Sequence, residues 1–441
     1  MIRTVARVPP DPEAPLYKRF ASALGEHVLV VPYSRVFDLP PDLARAWDGD
    51  PGEARRLALA LAEPSSGEGD LDAVALPSAQ SLSLNVSSSC NLSCGYCYAD
   101  RGRFAGAQDR RMTRETALAA IDRLLAGADP GAPVTVGFLG GEPLTNRALV
   151  HEVVGYARGA AAPRGLDLRF SITTNGTLLS PADIALIRAE RFAVTVSLDG
   201  DAAIQDRQRP AARGTGSFAA LAQSLRPLLA DPGRAKIAAR MTVRADCLDL
   251  EARIAAVLAL GFPEVGVSPL RRAADGTALT DAHWPAYLAA LIAASRREIA
   301  RACAGGTIRL TNLAVALKQI HAGASMPYSC GAGGGYFSVS ADGRWYACHR
   351  AVGEAGFELG DSGGLDERRR LDFLAGRHVH AQAPCRTCWA RYLCSGGCHQ
   401  EAPTRSTAAC DFVRDWLSFC LSAYCEIDAQ RPDLLRPGTP H

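Results

Sequence analysis

The stretch Ser81–Cys97, SLSLNVSSSCNLSCGYC, begins as an alternating β-type run and ends with three cysteines on one short loop. Alternation of apolar and polar residues at period two marks a strand with one covered face. Cys90, Cys94 and Cys97 follow directly on it, so the thiols sit where a strand hands over to its connection. Downstream the same unit repeats. Further strands are expected at VTVGFL from Val134, LRFSIT from Leu168, FAVTVSL from Phe192, KIAARMTV from Lys236 and EVGVSPL from Glu264. Ala/Leu-rich helical runs follow, beginning near Thr113, Asn146, Pro181, Ser217, Leu250 and His283. Six βα units imply an α/β fold, a parallel sheet with helices outside, curved into an open partial (βα)6 barrel. Barrel active sites lie at the C-terminal ends of the strands.

The flanks differ. Residues 1–75 hold a strand expected at HVLVVP from His27, the segment SRVFDLP, and two helical runs, PDLARAW and PGEARRLALALAE, with SSGEGD after them as a linker. From Leu310 the βα rhythm is lost and the chain becomes rich in Cys and Gly, as in a domain organised by metal rather than by a large core. The expected blocks are therefore 1–75, 80–305 and 310–441.

Composition narrows the chemistry. In 441 residues, 48 basic and 46 acidic side chains leave a formal charge of +2 and no long block of one sign, so neither a nucleic-acid nor a membrane-surface footprint is expected. The N-terminus carries early prolines and acids where a signal peptide needs an apolar core, and no run of about 18 apolar residues occurs. A cytoplasmic location is expected. In a reducing compartment, clustered thiols among the 14 cysteines read as metal ligands rather than as disulfides.

Three thiolates at C-x3-C-x2-C spacing can hold three irons of a cubane and leave the fourth open to chelation. A zinc site is the alternative, although zinc usually takes a fourth protein ligand. Gly140-Gly141-Glu142-Pro143 ends the second strand, Thr174-Asn175-Gly176 the third and Ser197-Leu198-Asp199-Gly200 the fourth. Glycines allow close backbone approach, and a carboxylate can accept from a cationic amine. Together with Tyr96, the aromatic residue before the third cysteine, these segments resemble the radical S-adenosylmethionine superfamily. The resemblance implies a 4Fe-4S cluster on Cys90, Cys94 and Cys97, with S-adenosylmethionine bound near Tyr96, Gly140, Gly141, Glu142, Pro143 and Asn175. It further implies Glu142 at the cofactor's ammonium group, Ser197 near its ribose and Arg240 at its carboxylate.

A second cysteine pattern runs from Cys330 through Gly343 to Cys348, then Cys385, Cys388, Cys394, Cys398 and Cys410. It resembles the SPASM extension, with zinc ribbons as the alternative reading. The resemblance implies two auxiliary 4Fe-4S clusters, three in all: one on Cys330, Cys348 and Cys398, the other on Cys385, Cys388, Cys394 and Cys410, with Cys420 an alternative to Cys410. Cys247, Cys303 and Cys425 lie outside both patterns and read as small buried residues. Sulfatase-maturing relatives have a further cysteine where this chain has Tyr336, and an aspartate where it has His349. An open iron near Cys330 could take a substrate thiolate, and the surrounding text resembles maturases that install thioethers in peptides. The resemblance thus implies a radical enzyme that crosslinks a peptide through sulfur. Formylglycine formation and carbon-carbon or carbon-oxygen cyclisation are the alternatives, and a non-catalytic electron carrier a third class. His349 is a candidate base or a structural hydrogen-bonding residue. Residues 1–75 loosely resemble a winged-helix-like module that binds the leader of a precursor peptide, and an external donor of the flavodoxin or ferredoxin type is implied.

Overall fold

The computed structural model describes residues 4–62, 70–103, 110–273 and 275–436, and most of the expected linker SSGEGD lies outside them. The chain divides into two compact units. This division does not follow the three consecutive blocks read from the sequence. One unit holds Ala75–Thr280 with Gly331–Phe373, the other Thr4–Val74, Asp281–Cys330 and Leu374–His441.

The first unit is built on the six expected strands, Ser81–Ser87, Val134–Gly140, Leu168–Thr174, Phe192–Ser197, Lys236–Val243 and Val265–Pro269. They lie side by side in chain order and pair in parallel throughout. Each strand is followed by helix, as parallel pairing of neighbours requires, and the helix after the last strand, Trp284–Cys303, belongs to the second unit. Helix starts are set locally. Thr113 accepts from Thr116 N at 3.2 Å, and Ser180 with Asp183 forms a reciprocal capping box. Phe138, Phe170 and Phe192, from three adjacent strands, stack with centroids 5.3–6.5 Å apart and are buried.

The sheet continues past the barrel. Tyr336–Val339 pairs in parallel with the first strand, placing Tyr336 opposite Ser81, and antiparallel strands Trp345–Tyr346, Glu358–Asp361 and Gly364–Leu365 extend it to ten. This is why residues after 330 join the barrel: their backbone groups complete an edge that would otherwise be unpaired.

The second unit contains an antiparallel sheet of Tyr17–Ser22, Gly25–Val30 and Arg35–Asp38, followed by helices Pro41–Gly49 and Pro51–Leu61. Val28, Leu39, Trp47, Ala54 and Ala58 form its local core. The helices Trp284–Cys303, Thr311–His321 and Thr407–Gln430 pack together in the same unit. No described helix is long and apolar enough to cross a membrane.

Candidate active site

The cysteine loop is held from two sides. Behind it, the segment after helix Ala202–Gln208 runs antiparallel to the loop: Ser93 N donates to Pro210 O at 2.8 Å and Ala212 N to Asn91 O at 2.9 Å. In front, Gly141 N donates to Ser87 O at 2.8 Å and Glu142 N to Ser89 O at 2.9 Å. A Cβ on Gly141 would lie 2.4 Å from both Arg101 O and Ser89 O, and one on Gly140, at φ +142°, would lie 2.3 Å from Ser87 O. The two glycines therefore admit the backbone on either side of the cysteine loop, a closer demand than approach to a small ligand.

The sulfurs already receive donors suited to thiolate. Leu92 N–H lies 3.4 Å from Cys90 Sγ, Asn175 Nδ2 3.8 Å from the same sulfur, and Arg101 N–H 3.2 Å from Cys97 Sγ. Burial pushes the Cys90 thiol up to about 12 and raises that of Cys94, so both stay protonated until a metal displaces the proton. Among the described residues no three His, Cys, Asp or Glu side chains converge on one metal-ion position. A cubane instead places each thiolate on its own iron, and hydrogen bonds to the sulfurs are among the features that set its potential. Cys90, Cys94 and Cys97 fit that group.

The expected cofactor residues occupy the C-terminal edge of successive strands. Glu142 is fully buried, and its carboxylate accepts from Thr174 Oγ1 at 2.8 Å, Asn175 N at 2.7 Å and Leu144 N at 3.1 Å. Burial nevertheless raises its pKa to about 7, against the pull of those donors. Three of roughly four acceptor positions are thus engaged within the protein. Asn175 Nδ2 donates to Asn91 Oδ1 at 2.9 Å, which ties it to the cysteine loop. Pro143 begins the short helical turn Pro143–Asn146 and is buried. Ser197 and Arg240 are register partners on the fourth and fifth strands, and Arg240 Nη2 donates to Ser268 Oγ at 2.5 Å.

Tyr96 does not face open space: it is buried and its hydroxyl donates to Asp199 Oδ2. Asp199 also accepts from Arg209 Nε at 2.9 Å, Arg209 Nη2 at 3.2 Å and Thr242 N at 2.8 Å, and the Arg209 guanidinium lies 5.2 Å from the Tyr96 ring centroid. Sequence reading missed Arg209 and gave Asp199 no role. The only available signal was an arginine about ten residues after the SLDG strand end.

His349 lies in the first unit with Cys348. Its Nδ1 is 2.7 Å from Tyr336 Oη, which donates to Ser83 Oγ at 2.9 Å. Burial, with Arg350 beside it, lowers the His349 pKa to about 4, so the ring is neutral near pH 7. Tyr98, half-exposed on the residue after Cys97, meets the same imidazole edge-on at 6.4 Å and carries the Arg350 guanidinium 5.4 Å from its ring centroid.

In the second unit Cys385, Cys388, Cys394 and Cys410 line one pocket together with Arg405 and Arg414. Cys420 does not line it. It is fully buried in the helix Thr407–Gln430, and its thiol is raised by desolvation. Cys330 and Cys398 belong to the second unit and Cys348 to the first. Within the second unit Ser329 Oγ donates to Gly397 O at 2.5 Å, which joins the residues immediately before Cys330 and Cys398.

Comparison with known proteins agrees with this geometry. The Radical SAM superfamily profile matches residues 84–226. The chain is 26% identical over 334 residues to the serine-type anaerobic sulfatase-maturating enzyme of Klebsiella aerogenes, covering 71% of this chain and 78% of that protein. Native anSMEcpe with bound AdoMet superposes with a TM-score of 0.66 at 18% identity, over 79% of this chain and 99% of that one. SuiB of Streptococcus suis bound to S-adenosylmethionine superposes with a TM-score of 0.51 at 13% identity, over 90% and 97%. Residues 84–226 are a Radical SAM superfamily domain, and the chain is a radical S-adenosylmethionine enzyme.

Proposed function

We propose that the enzyme modifies a peptide or protein by hydrogen abstraction and that its product is an intrapeptide thioether, a bond from cysteine sulfur to carbon. The observation that carries this reading is the Tyr336–His349 hydrogen bond of 2.7 Å. Where sulfatase-maturing relatives place a cysteine and an aspartate, this chain has a phenol and an imidazole locked to one another. Neither residue is a thiolate, so on this reading the substrate's own cysteine supplies the sulfur that the chain does not. A peptide substrate is supported by the relatives: anSMEcpe is known with bound AdoMet and Cp18Cys peptide, at a TM-score of 0.65.

When bound, the reduced cluster and S-adenosylmethionine would supply an adenosyl radical to take one substrate hydrogen; closing the carbon-sulfur bond would then release the thiol proton and one electron, the electron passing to an auxiliary cluster. The chain's own residues do the rest. Cys90, Cys94 and Cys97 hold the cluster. Glu142 and Asn175 fix the second and third strand ends against the cysteine loop. Ser197 and Arg240 orient the cofactor's ribose and carboxylate. Four further cysteines, Cys385, Cys388, Cys394 and Cys410, hold an auxiliary cluster in a SPASM-type region. The three-stranded sheet Tyr17–Asp38 belongs to a leader-binding module within residues 1–75, where an edge strand offers backbone groups to an added strand. Electrons come from a flavodoxin- or ferredoxin-type donor.

A second reading, formylglycine formation, is favoured by the names of the Klebsiella relatives. Anaerobic turnover of a co-expressed cysteine-containing peptide separates the two. Thioether closure and oxidation of a serine both remove two hydrogens, so mass alone does not decide. A product with one thiol fewer and no hydrazide-reactive aldehyde supports the thioether; an aldehyde with all other thiols intact refutes it.

A further inference from the structure

Three arginines line the four-cysteine pocket, and they are not equivalent. Arg391 is buried and donates its Nη1 to two backbone carbonyls, Pro15 O at 2.9 Å and Cys388 O at 3.1 Å. Arg414, one turn beyond Cys410 on the helix Thr407–Gln430, pairs with Asp411, which cancels its charge locally. Arg405 forms no ion pair with a carboxylate among the described residues. Its Nη2 donates to Gly396 O, in the turn between Cys394 and Cys398. The seat is specific, because a Cβ on Gly397, at φ +64°, would lie 2.7 Å from Arg405 Nη1. The backbone at Arg405 is held by its neighbour Ser406, which caps the helix carrying Cys410 by accepting from Ala409 N at 3.1 Å. From this position Arg405 lines the same pocket as all four thiols.

We propose that Arg405 is a positioning residue for the cluster held by Cys385, Cys388, Cys394 and Cys410, a fixed and uncancelled cation that raises its reduction potential. This rests on the reading that the pocket holds a 4Fe-4S cluster. Four thiolates make such a cluster anionic in its oxidised state and more so by one charge after reduction. A nearby cation in a partly buried pocket therefore favours the reduced form, and local charge is a main determinant of iron-sulfur potentials. The planar guanidinium, pinned over a glycine turn, holds its charge in place better than a flexible ammonium can.

The test is an EPR-monitored redox titration of the reconstituted full chain, with dithionite supplying one electron per cluster and no bond made or broken. The relevant signal is the one lost, with its iron, in Cys410→Ala. Arg405→Gln should shift that signal to lower potential, and Arg405→Lys should restore much of the shift. An Arg405→Gln protein that loads its iron and titrates with the parent overturns the proposal. If Arg405→Gln does not load, Gly397→Ala decides, since it displaces the guanidinium without removing it: a lowered potential supports the proposal, an unchanged one overturns it. A Cys410→Ala chain that keeps every signal overturns the cluster reading itself, and so distinguishes that failure from a failure of Arg405.

Discussion

Arg209 and Asp199 form a two-point ion pair buried behind the cysteine loop, at 2.9 and 3.2 Å, with Asp199 fully inaccessible. The pair is valuable because it is complete. Tyr96 and Thr242 supply the remaining donors to the carboxylate, so the charge removed from water is met on every side. Tyr96 lies between Cys94 and Cys97, and the network therefore fixes the loop between two of the proposed cluster ligands. Arg209 is also one of the few positive charges acting on Cys94, where it opposes desolvation.

Arg209→Met should leave Asp199 buried and uncompensated, lowering stability by about 3–5 kcal/mol. Denaturant unfolding measures the loss, and iron analysis should show the catalytic cluster held less fully. An Arg209→Met protein as stable as the parent would show that the carboxylate is neutralised by other means.

Gly141→Ala should damage the site through packing alone. A methyl group 2.4 Å from two carbonyl oxygens forces the cysteine loop and the second strand end apart, at about 1–3 kcal/mol for overpacking. The matching control is Gly159→Ala, within the helix Arg147–Ala161, where nothing lies within 4 Å of the added Cβ. That change should stabilise by up to about 1 kcal/mol from helix propensity. Thermal melts and S-adenosylmethionine binding to both proteins test the contrast.

These sites were unevenly legible in the sequence. The six barrel strands, their helices and the Cys90–Cys97 loop announce themselves through local period and spacing, and the structure places each strand within a residue or two of its expected start. Tyr17–Ser22, YKRFAS, did not, because a strand with polar and basic residues on both faces lacks the period-two contrast. The pairing of Tyr336–Val339 with Ser81–Ser87 is a contact across about 250 residues of sequence, and a four-residue run after a glycine cluster carries no mark of its partner. The roles of Asp199 and Arg209 were hidden for a related reason. A buried ion pair is specified by three elements meeting in space, whereas each residue alone reads as a solvated charge.

Glu142 gives the apo protein a pH dependence with a definite sign. Its pKa rises from about 4.5 unfolded to about 7 folded, so between those values the folded chain keeps a proton that the unfolded chain releases. Stability from this group is complete below about pH 4.5 and falls as pH rises toward 7. The total is about 3 kcal/mol at roughly 1.4 kcal/mol per unit. Glu142→Gln should remove that slope. Equal pH slopes for parent and variant would show that the carboxylate is already ionised in the folded state.

Replacing any of Cys90, Cys94 and Cys97 by alanine should remove the catalytic cluster's iron and abolish reductive release of 5′-deoxyadenosine, while the iron assigned to Cys385, Cys388, Cys394 and Cys410 is retained. The three changes should be equivalent and non-additive, since residues acting as one unit lose function together. Iron content and EPR of the triple variant against each single one check this. A single variant that keeps near-parental 5′-deoxyadenosine release would remove that cysteine from the ligand set.

The Tyr336–His349 pair separates a structural from a catalytic imidazole. Tyr336→Phe keeps the ring but leaves His349 Nδ1 and Ser83 Oγ without the phenol, and an unsatisfied buried polar group costs about 1–3 kcal/mol. If His349 only braces the turn that follows Cys348, His349→Asn should show a similar stability loss. Its peptide-dependent 5′-deoxyadenosine release should then stay within about threefold of the parent once the folded fraction is matched. A general base contributes about 100- to 10,000-fold. A folded His349→Asn enzyme that still starts the radical at the parental rate, yet forms product at least 100-fold more slowly, would assign the substrate proton to His349. The neutral ring near pH 7 is compatible with either role, so product formation scored against radical initiation is what decides.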